Sequence, residues 1–189
     1  VLEPNYLTEF AKFAAKNVIV KFPECDCHFV RQGASVNLLT DGRYLKKYIP
    51  ERELEFFEGS PEEVPNDLYK FIVCCDPNNM PEIRAFAEEV FPRSVSIIQS
   101  SPFFLEILPK ENSKGKALHR LCEILGIPPE NSVAVGDYEN DIEMITSAGI
   151  GAAVDNAQDS VKEAADIVLP SCEEDAIMHL ICFLEEMYD

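Results

Sequence analysis

After Pro109, short apolar runs and stretches of helical periodicity take strict turns along the chain. Leu118, Leu121, Cys122 and Leu125 share one helix face, which Gly126 and Pro128 close. A strand over 132–135 follows, then a helix to Ala148, a strand over 150–154, a helix over 160–164 and a strand over 167–169. Such alternation predicts a parallel sheet with crossover helices. A last helix is expected with Ser171 as its cap, Glu173 and Glu174 in its first turn, and Ile177, Leu180, Ile181 and Leu184 turned inward.

Before Pro109 the pattern is different. Leu7, Phe10, Ala11 and Ala14 recur at helical spacing and predict an amphipathic helix from Pro4 through about Lys16. Residues 18–22 and 27–30 read as strands, with a break at Pro23-Glu24 between them. Further strands are expected over 69–75, 95–99 and 104–108, and a helix over 81–90 with Ile83, Ala87 and Val90 inward. Asp41-Gly42 reads as a turn, 44–48 as a short helix, and the acidic, Pro-rich stretch 58–65 as a surface loop. The result is an α+β layer over 1–108 with no nucleotide-binding loop, followed by an α/β segment over 109–189.

Composition narrows the function classes. Hydrophobic residues make up 47% of the 189, enough to bury a core. A formal net charge of −18 repels polyanions, so nucleic acid is excluded as a partner, and a small anionic ligand needs local positive charge to hold it. No apolar run approaches a membrane span, and the first residues lack the pattern of a signal peptide, so a cytoplasmic protein with no membrane partner is expected. The seven cysteines are scattered, several inside apolar runs, and read as reduced small hydrophobes. Cys25-Asp26-Cys27-His28 has no matching second pair, and its cysteines alternate with Asp26 as on one face of a strand, which argues against a metal there.

The chemistry concentrates in Val133-Ala134-Val135-Gly136-Asp137-Tyr138-Glu139-Asn140-Asp141-Ile142. A buried strand ends in Gly-Asp, which lifts Asp137 to the carboxyl end of the sheet, where open α/β sheets bind ligands. Asn140 and Asp141 fall at the start of the next helix, where side-chain oxygens cap backbone N–H groups and the helix dipole favours anions. Upstream lies Asn112-Ser113-Lys114-Gly115-Lys116-Ala117-Leu118, one helix and one loop away.

Together the two stretches resemble the late motifs of the haloacid dehalogenase-like phosphohydrolases, in particular the Cof-type subgroup with a large cap: Ser-Lys-Gly-x-Ala-Leu and Gly-Asp-x-x-Asn-Asp-Ile-x-Met. The likeness extends through Ala148-Gly149, Ala153-Val154, Asn156-Ala157 and Ala164-Ala165-Asp166. One departure is Asp175-Ala176, where relatives commonly carry Asp-Gly. The resemblance implies a Rossmann-like parallel-sheet core, present as its C-terminal half in 109–189, plus an α+β cap in 1–108 that closes over the site and chooses the substrate. It implies that Asp137 helps to hold Mg²⁺, and that Lys114 is the catalytic lysine that pairs with the nucleophile and the substrate phosphate. Asn140 matches a phosphate-positioning amide, and Asp141 a carboxylate that orients its neighbours.

The same resemblance exposes a gap. The family's nucleophile is the first Asp of an Asp-x-Asp motif ending the first core strand, and neither this motif nor the phosphate-holding Ser or Thr after the second strand can be found here. The chain, opening on Val1, therefore reads as a member that begins at its cap, with its first core strands before Val1. Three functions are carried forward. The first is a Mg²⁺-dependent phosphatase for small phosphorylated metabolites such as sugar phosphates, inactive as this fragment alone. The second is a non-catalytic remnant or binding module, and the third a related sugar-phosphate phosphatase or phosphomutase. The strand ending at Gly136 would lack a neighbour, and the missing segment or a second copy is expected to cover that edge.

Overall fold

Thr8 starts the first helix: its Oγ1 accepts the N–H of Ala11 at 3.3 Å, capping α1, Glu9–Lys21. The computed structural model describes residues 5–31, 34–38, 42–48, 56–57 and 67–188. They fall into two units, Val1–Glu111 and Asn112–Asp189. Pro4, Asp41 and the predicted loop over 58–65 lie outside the described residues.

Residues 18–22, expected as a strand, are instead the last turns of α1 and its cap. Their β-branched side chains lower helix propensity by only about 0.5 kcal/mol each. Val18 and Ile19 are buried, and burying a side chain of that size contributes about 1.5–3 kcal/mol, so packing decides.

Unit 1 is a six-stranded sheet built from β1 (Asp26–Arg31), β2 (Ala34–Leu38), β3 (Phe56–Phe57), β4 (Lys70–Cys74), β5 (Val95–Ser101) and β6 (Phe104–Pro109). Their order is β3-β2-β1-β4-β6-β5, antiparallel except for the short β2–β3 pair. Alternate residues of the central strands, Cys27, Phe29, Phe71, Val73, Leu105 and Ile107, form one core with the buried sides of α1 and of α3, Met80–Val90. On the opposite face, the carboxylate Oδ2 of buried Asp26 accepts the N–H groups of Tyr44 (2.8 Å) and Leu45 (2.9 Å). It thereby caps α2, Arg43–Tyr48, from a distant strand, just after Gly42 turns the chain at φ +67°. Cys25 and Cys27 lie in the core with Phe29, whereas Asp26 and His28 alternate with them along the strand, so the Cys-Asp-Cys-His run does not converge.

Unit 2 is a three-stranded parallel sheet of β7 (Val133–Gly136), β8 (Ile150–Val154) and β9 (Ile167–Leu169), in that order. It is crossed by α4 (Lys114–Leu125), α5 (Ile142–Ser147), α6 (Asp159–Ala164) and α7 (Ala176–Tyr188). Ile145, Ala152, Ala153, Val154, Val161, Leu169 and Leu180 form its core. The small residues of β8 are needed for this packing. A Cβ on Gly151 would come within 2.4 Å of the Ile145 carbonyl oxygen. β7 and β9 are the edge strands of this sheet among the described residues, and Leu121, Ile124 and Leu125 of α4 and Val133 of β7 are exposed.

The last helix begins later than expected. Ser171 does not cap it; Ser171 Oγ accepts the N–H of Glu173 at 3.3 Å and donates to Asn156 Oδ1 at 3.2 Å, holding a turn outside the helix. Asp175, at φ +55°, redirects the chain, and α7 starts at buried Ala176. Among the described residues no helix is long and apolar enough to cross a membrane.

Candidate active site

The site is built where β7 stops. Gly136 ends the strand because the next turn folds directly back over it: a Cβ at this position would sit 2.3 Å from Cβ and 2.6 Å from Cγ of Asp141. With that space open, buried Asp141 reaches into the turn. Its Oδ2 accepts the N–H groups of Asp137 (3.1 Å) and Tyr138 (3.2 Å), and its Oδ1 accepts the ammonium of Lys114. One carboxylate therefore fixes both the loop that carries Asp137 and the lysine that α4 delivers.

Lys114 arrives from an unfavourable place. It is the first residue of α4, whose first turn contains no acid, so its charge sits at the positive end of the helix dipole. Ser113 caps the helix by accepting the N–H of Lys116 at 3.1 Å. Gly115 lets the start of α4 approach α5, since a Cβ there would lie 2.5 Å from Cγ of Glu143. The Lys114 side chain stays half exposed (49%), with Asp141 as its ion-pair partner on one side. The ammonium thus stands at the positive end of the α4 dipole, and both favour a bound anion.

Asp137 lies exposed at the carboxyl end of β7, and its carbonyl oxygen accepts the N–H of Gln158 at 3.0 Å, which ties the β7 and β8 loops together. Its carboxyl is raised above its ordinary value, first by partial loss of solvent around an otherwise exposed group and then by the neighbouring Asp141 charge and hydrogen bond, with Lys114 pulling the other way. Burial and the Asp137 charge likewise push the Tyr138 phenol up. An acid destabilised in its ionised form by a second acid gains from a nearby cation. Asn140 Oδ1 is buried and makes no hydrogen bond. Leaving such a group unpaired costs about 1–3 kcal/mol, so it is open to a partner that the described residues do not supply.

The four residues singled out from the sequence lie around the end of β7 and the start of α4. The ion pair of Lys114 is with Asp141, while its effect on Asp137 is through the field alone. Sequence reading included Gly136, Gly115 and Asn156 in its motifs but gave them no role: the two glycines act through the absence of a side chain. The Asn156 Oδ1 accepts the N–H of Cys172 at 3.0 Å and knits the loops after β8 and β9 together. Its place two residues after β8, at the same edge of the sheet as Asp137, was the available signal.

As a place for a hard divalent cation the site is partial. Such an ion wants several oxygen ligands, and among the described residues no group of three His, Cys, Asp or Glu side chains could hold one. Both Asp141 oxygens are committed to Lys114 and the backbone. Asp137 is exposed in the same turn, and a nearby cation would ease the raised energy of its ionised form.

Comparison with known proteins locates this architecture. The family model of the haloacid dehalogenase-like hydrolases matches residues 9–181. The protein YxeH of Bacillus subtilis (strain 168) is 33% identical over 155 residues, covering 78% of this chain and 57% of its own. Phosphatase YwpJ of the same organism is 29% identical over 160 residues, covering 84% and 53%. Among solved structures, the subclass IIB sugar phosphatase BT4131 superposes with a TM-score of 0.80 at 21% identity, over 96% of this chain and 68% of that one, a likeness of fold. The chain spans about half the length of the curated relatives it matches.

Proposed function

The chain belongs to the haloacid dehalogenase-like hydrolases, and from that premise we propose that it carries the lysine–aspartate half of a Mg²⁺-dependent phosphatase for small phosphate monoesters, sugar phosphates or similar metabolites. The carrying observation is the clamp by Asp141, which joins the turn bearing Asp137 to the lysine at the start of α4. No structural ion pair alone requires a lysine at a helix N-terminus, or explains a buried amide oxygen left unpaired at Asn140, next to Asp141 in the chain. The name of phosphatase YwpJ and the sugar-phosphatase fold neighbour support the substrate class.

In this reading Lys114 holds the transferring phosphoryl oxygens, Asn140 orients them through its amide, and Asp141 keeps both the lysine and the loop from drifting. Asp137 would hold the Mg²⁺, which when bound supplies charge neutralisation of the phosphate. The nucleophilic aspartate and its partner acid–base come from a polypeptide segment outside these residues. That segment would pair with the free edge of β7 and cover Leu121, Ile124, Leu125 and Val133. The unit up to Glu111 would act as the cap that selects the substrate.

The chain by itself is then expected to turn over no phosphate monoester. The test is p-nitrophenyl phosphate hydrolysis with and without Mg²⁺. A Mg²⁺-dependent rate from the purified chain, lost in Asp137→Asn, would overturn the division of labour proposed. A second reading, a non-catalytic module, rests on the lack of an Asp-x-Asp sequence in these residues. It predicts that a longer polypeptide containing the preceding segment is equally inactive.

A further inference from the structure

Unit 1 leaves four large apolar side chains exposed among the described residues, and all belong to α1 or its approach: Tyr6 (39%), Phe10 (60%), Phe13 (60%) and Val20 (71%). The other side of α1, with Ala11, Ala14, Ala15 and Val18, is sealed in the core. A helix that is apolar on both sides belongs in an interior, and this one has a core on one side only.

The uncovered face has an internal order. Phe10, Phe13, Asn17 and Val20 are spaced three, four and three residues apart, the spacing of a stripe through which two helices meet. Charged residues of opposite sign mark its two ends. Glu9, whose carboxylate accepts the ammonium of Lys12 at 2.5 Å on its own helix and whose side chain is 81% exposed, lies at the start, and Lys21, whose ammonium sits 4.0 Å over the Phe86 ring, at the finish. These positions are symmetric about Ala15. A second copy of the helix laid antiparallel across the first would set Phe10 against Val20, Phe13 against Asn17, and Glu9 against Lys21, each pairing occurring twice. That is the self-complementarity a two-fold interface demands, where every contact must be made reciprocally by the same patch.

We propose that α1 is a homodimer interface in which two copies of this chain pair their first helices antiparallel about Ala15, with Phe10, Phe13 and Val20 as the buried stripe and Glu9–Lys21 pairs setting the register. Charge makes the choice of partner specific. Each copy carries a net charge of −18 and repels others at long range, whereas α1 itself, with Glu9 and the three lysines Lys12, Lys16 and Lys21, is a locally basic helix on which approach costs less. One helix pair lies at the small end of interface sizes, so the dimer is expected to dissociate in the micromolar range.

Sedimentation velocity over a concentration series of the chain tests this. The mass should rise from that of the 21.2 kDa monomer toward twice that value as concentration passes into the tens of micromolar, an order of magnitude set by the interface size. Phe13→Asp should weaken association by at least about tenfold. Glu9→Lys and Lys21→Glu should each weaken it several-fold, and the double variant Glu9→Lys/Lys21→Glu should recover most of the loss, because both reciprocal pairs are restored with reversed sign. Circular dichroism reports whether each variant keeps its helices; should Phe13→Asp fail, Val20→Lys takes its place at a more exposed position of the stripe. A chain that stays monomeric at all concentrations overturns the proposal. So does association that Phe13→Asp leaves intact, which assigns the contact to another apolar surface, and so does failure of the double charge reversal to recover what the single ones lose.

Discussion

Lys114 and Asp141, 27 positions apart in sequence, form an ion pair in which the carboxylate is buried and the ammonium half exposed. The same carboxylate holds the N–H groups of Asp137 and Tyr138, so the position of the lysine and the shape of the loop after β7 depend on one side chain.

Replacing that side chain should therefore damage fold and site together. Asp141→Ala leaves two backbone donors and an ammonium without their acceptor, and is expected to lower unfolding stability by about 2–3 kcal/mol. Asp141→Asn keeps an acceptor for the loop but not the charge for Lys114, and should lose less, about 1 kcal/mol. Chemical denaturation of the two variants checks the order; equal losses would mean that the loop contacts contribute nothing.

Asp137 should behave in the opposite way. Partial loss of solvent and Asp141 raise its carboxyl above the ordinary value of 3.8, so the folded state favours the protonated form. That favourable contribution is present below the ordinary value and is lost as the pH rises through the folded value. At neutral pH the ionised group opposes folding. Asp137→Asn is thus expected to raise the melting temperature at pH 7, with the gain narrowing as the pH falls toward about 4. Millimolar Mg²⁺ should raise the melting temperature of the native chain and leave the Asn variant unmoved.

The glycines beneath the site are a further check on its geometry. A Cβ at Gly136 overlaps Asp141, and one at Gly149 would lie 1.9 Å from the backbone oxygen of Glu130. Gly136→Ala and Gly149→Ala should each cost about 1–3 kcal/mol. Only the first should also alter the backbone amide signals of Asp137 and Tyr138 in an NMR spectrum, because only the first pushes on Asp141.

Much of this was legible in the sequence, and the exceptions have physical causes. The turn from β7 into α5 carried its own signals: an apolar run, a Gly-Asp, then a helix face, and the structure reproduces each. The parallel order of β7, β8 and β9 followed from strict alternation. Residues 18–22 misled because β-branched residues suit either state locally, and burial in a core assembled from distant strands decided for helix. Ser171 misled because a capping residue is only a cap if the chain turns helical next, and here Asp175 turns it first. The acceptor of Lys114 could not be read, since spacing brings the lysine to the site but does not say which of two carboxylates is near enough to bind it. Contacts such as Asp26 with the start of α2 lie equally beyond any local pattern.

The central claim is that Lys114 and Asp137 act as parts of one phosphate-processing centre completed by a segment outside these residues. Its most direct test is turnover of a phosphate monoester by a longer polypeptide containing an upstream Asp-x-Asp segment, with Lys114→Ala, Asp137→Asn and the two combined. The account predicts Mg²⁺-dependent turnover that each single change lowers by at least about 10²-fold, with the double variant scarcely worse than the singles, as for groups that act as a unit. Full activity in either single variant, or losses that simply multiply, would contradict it.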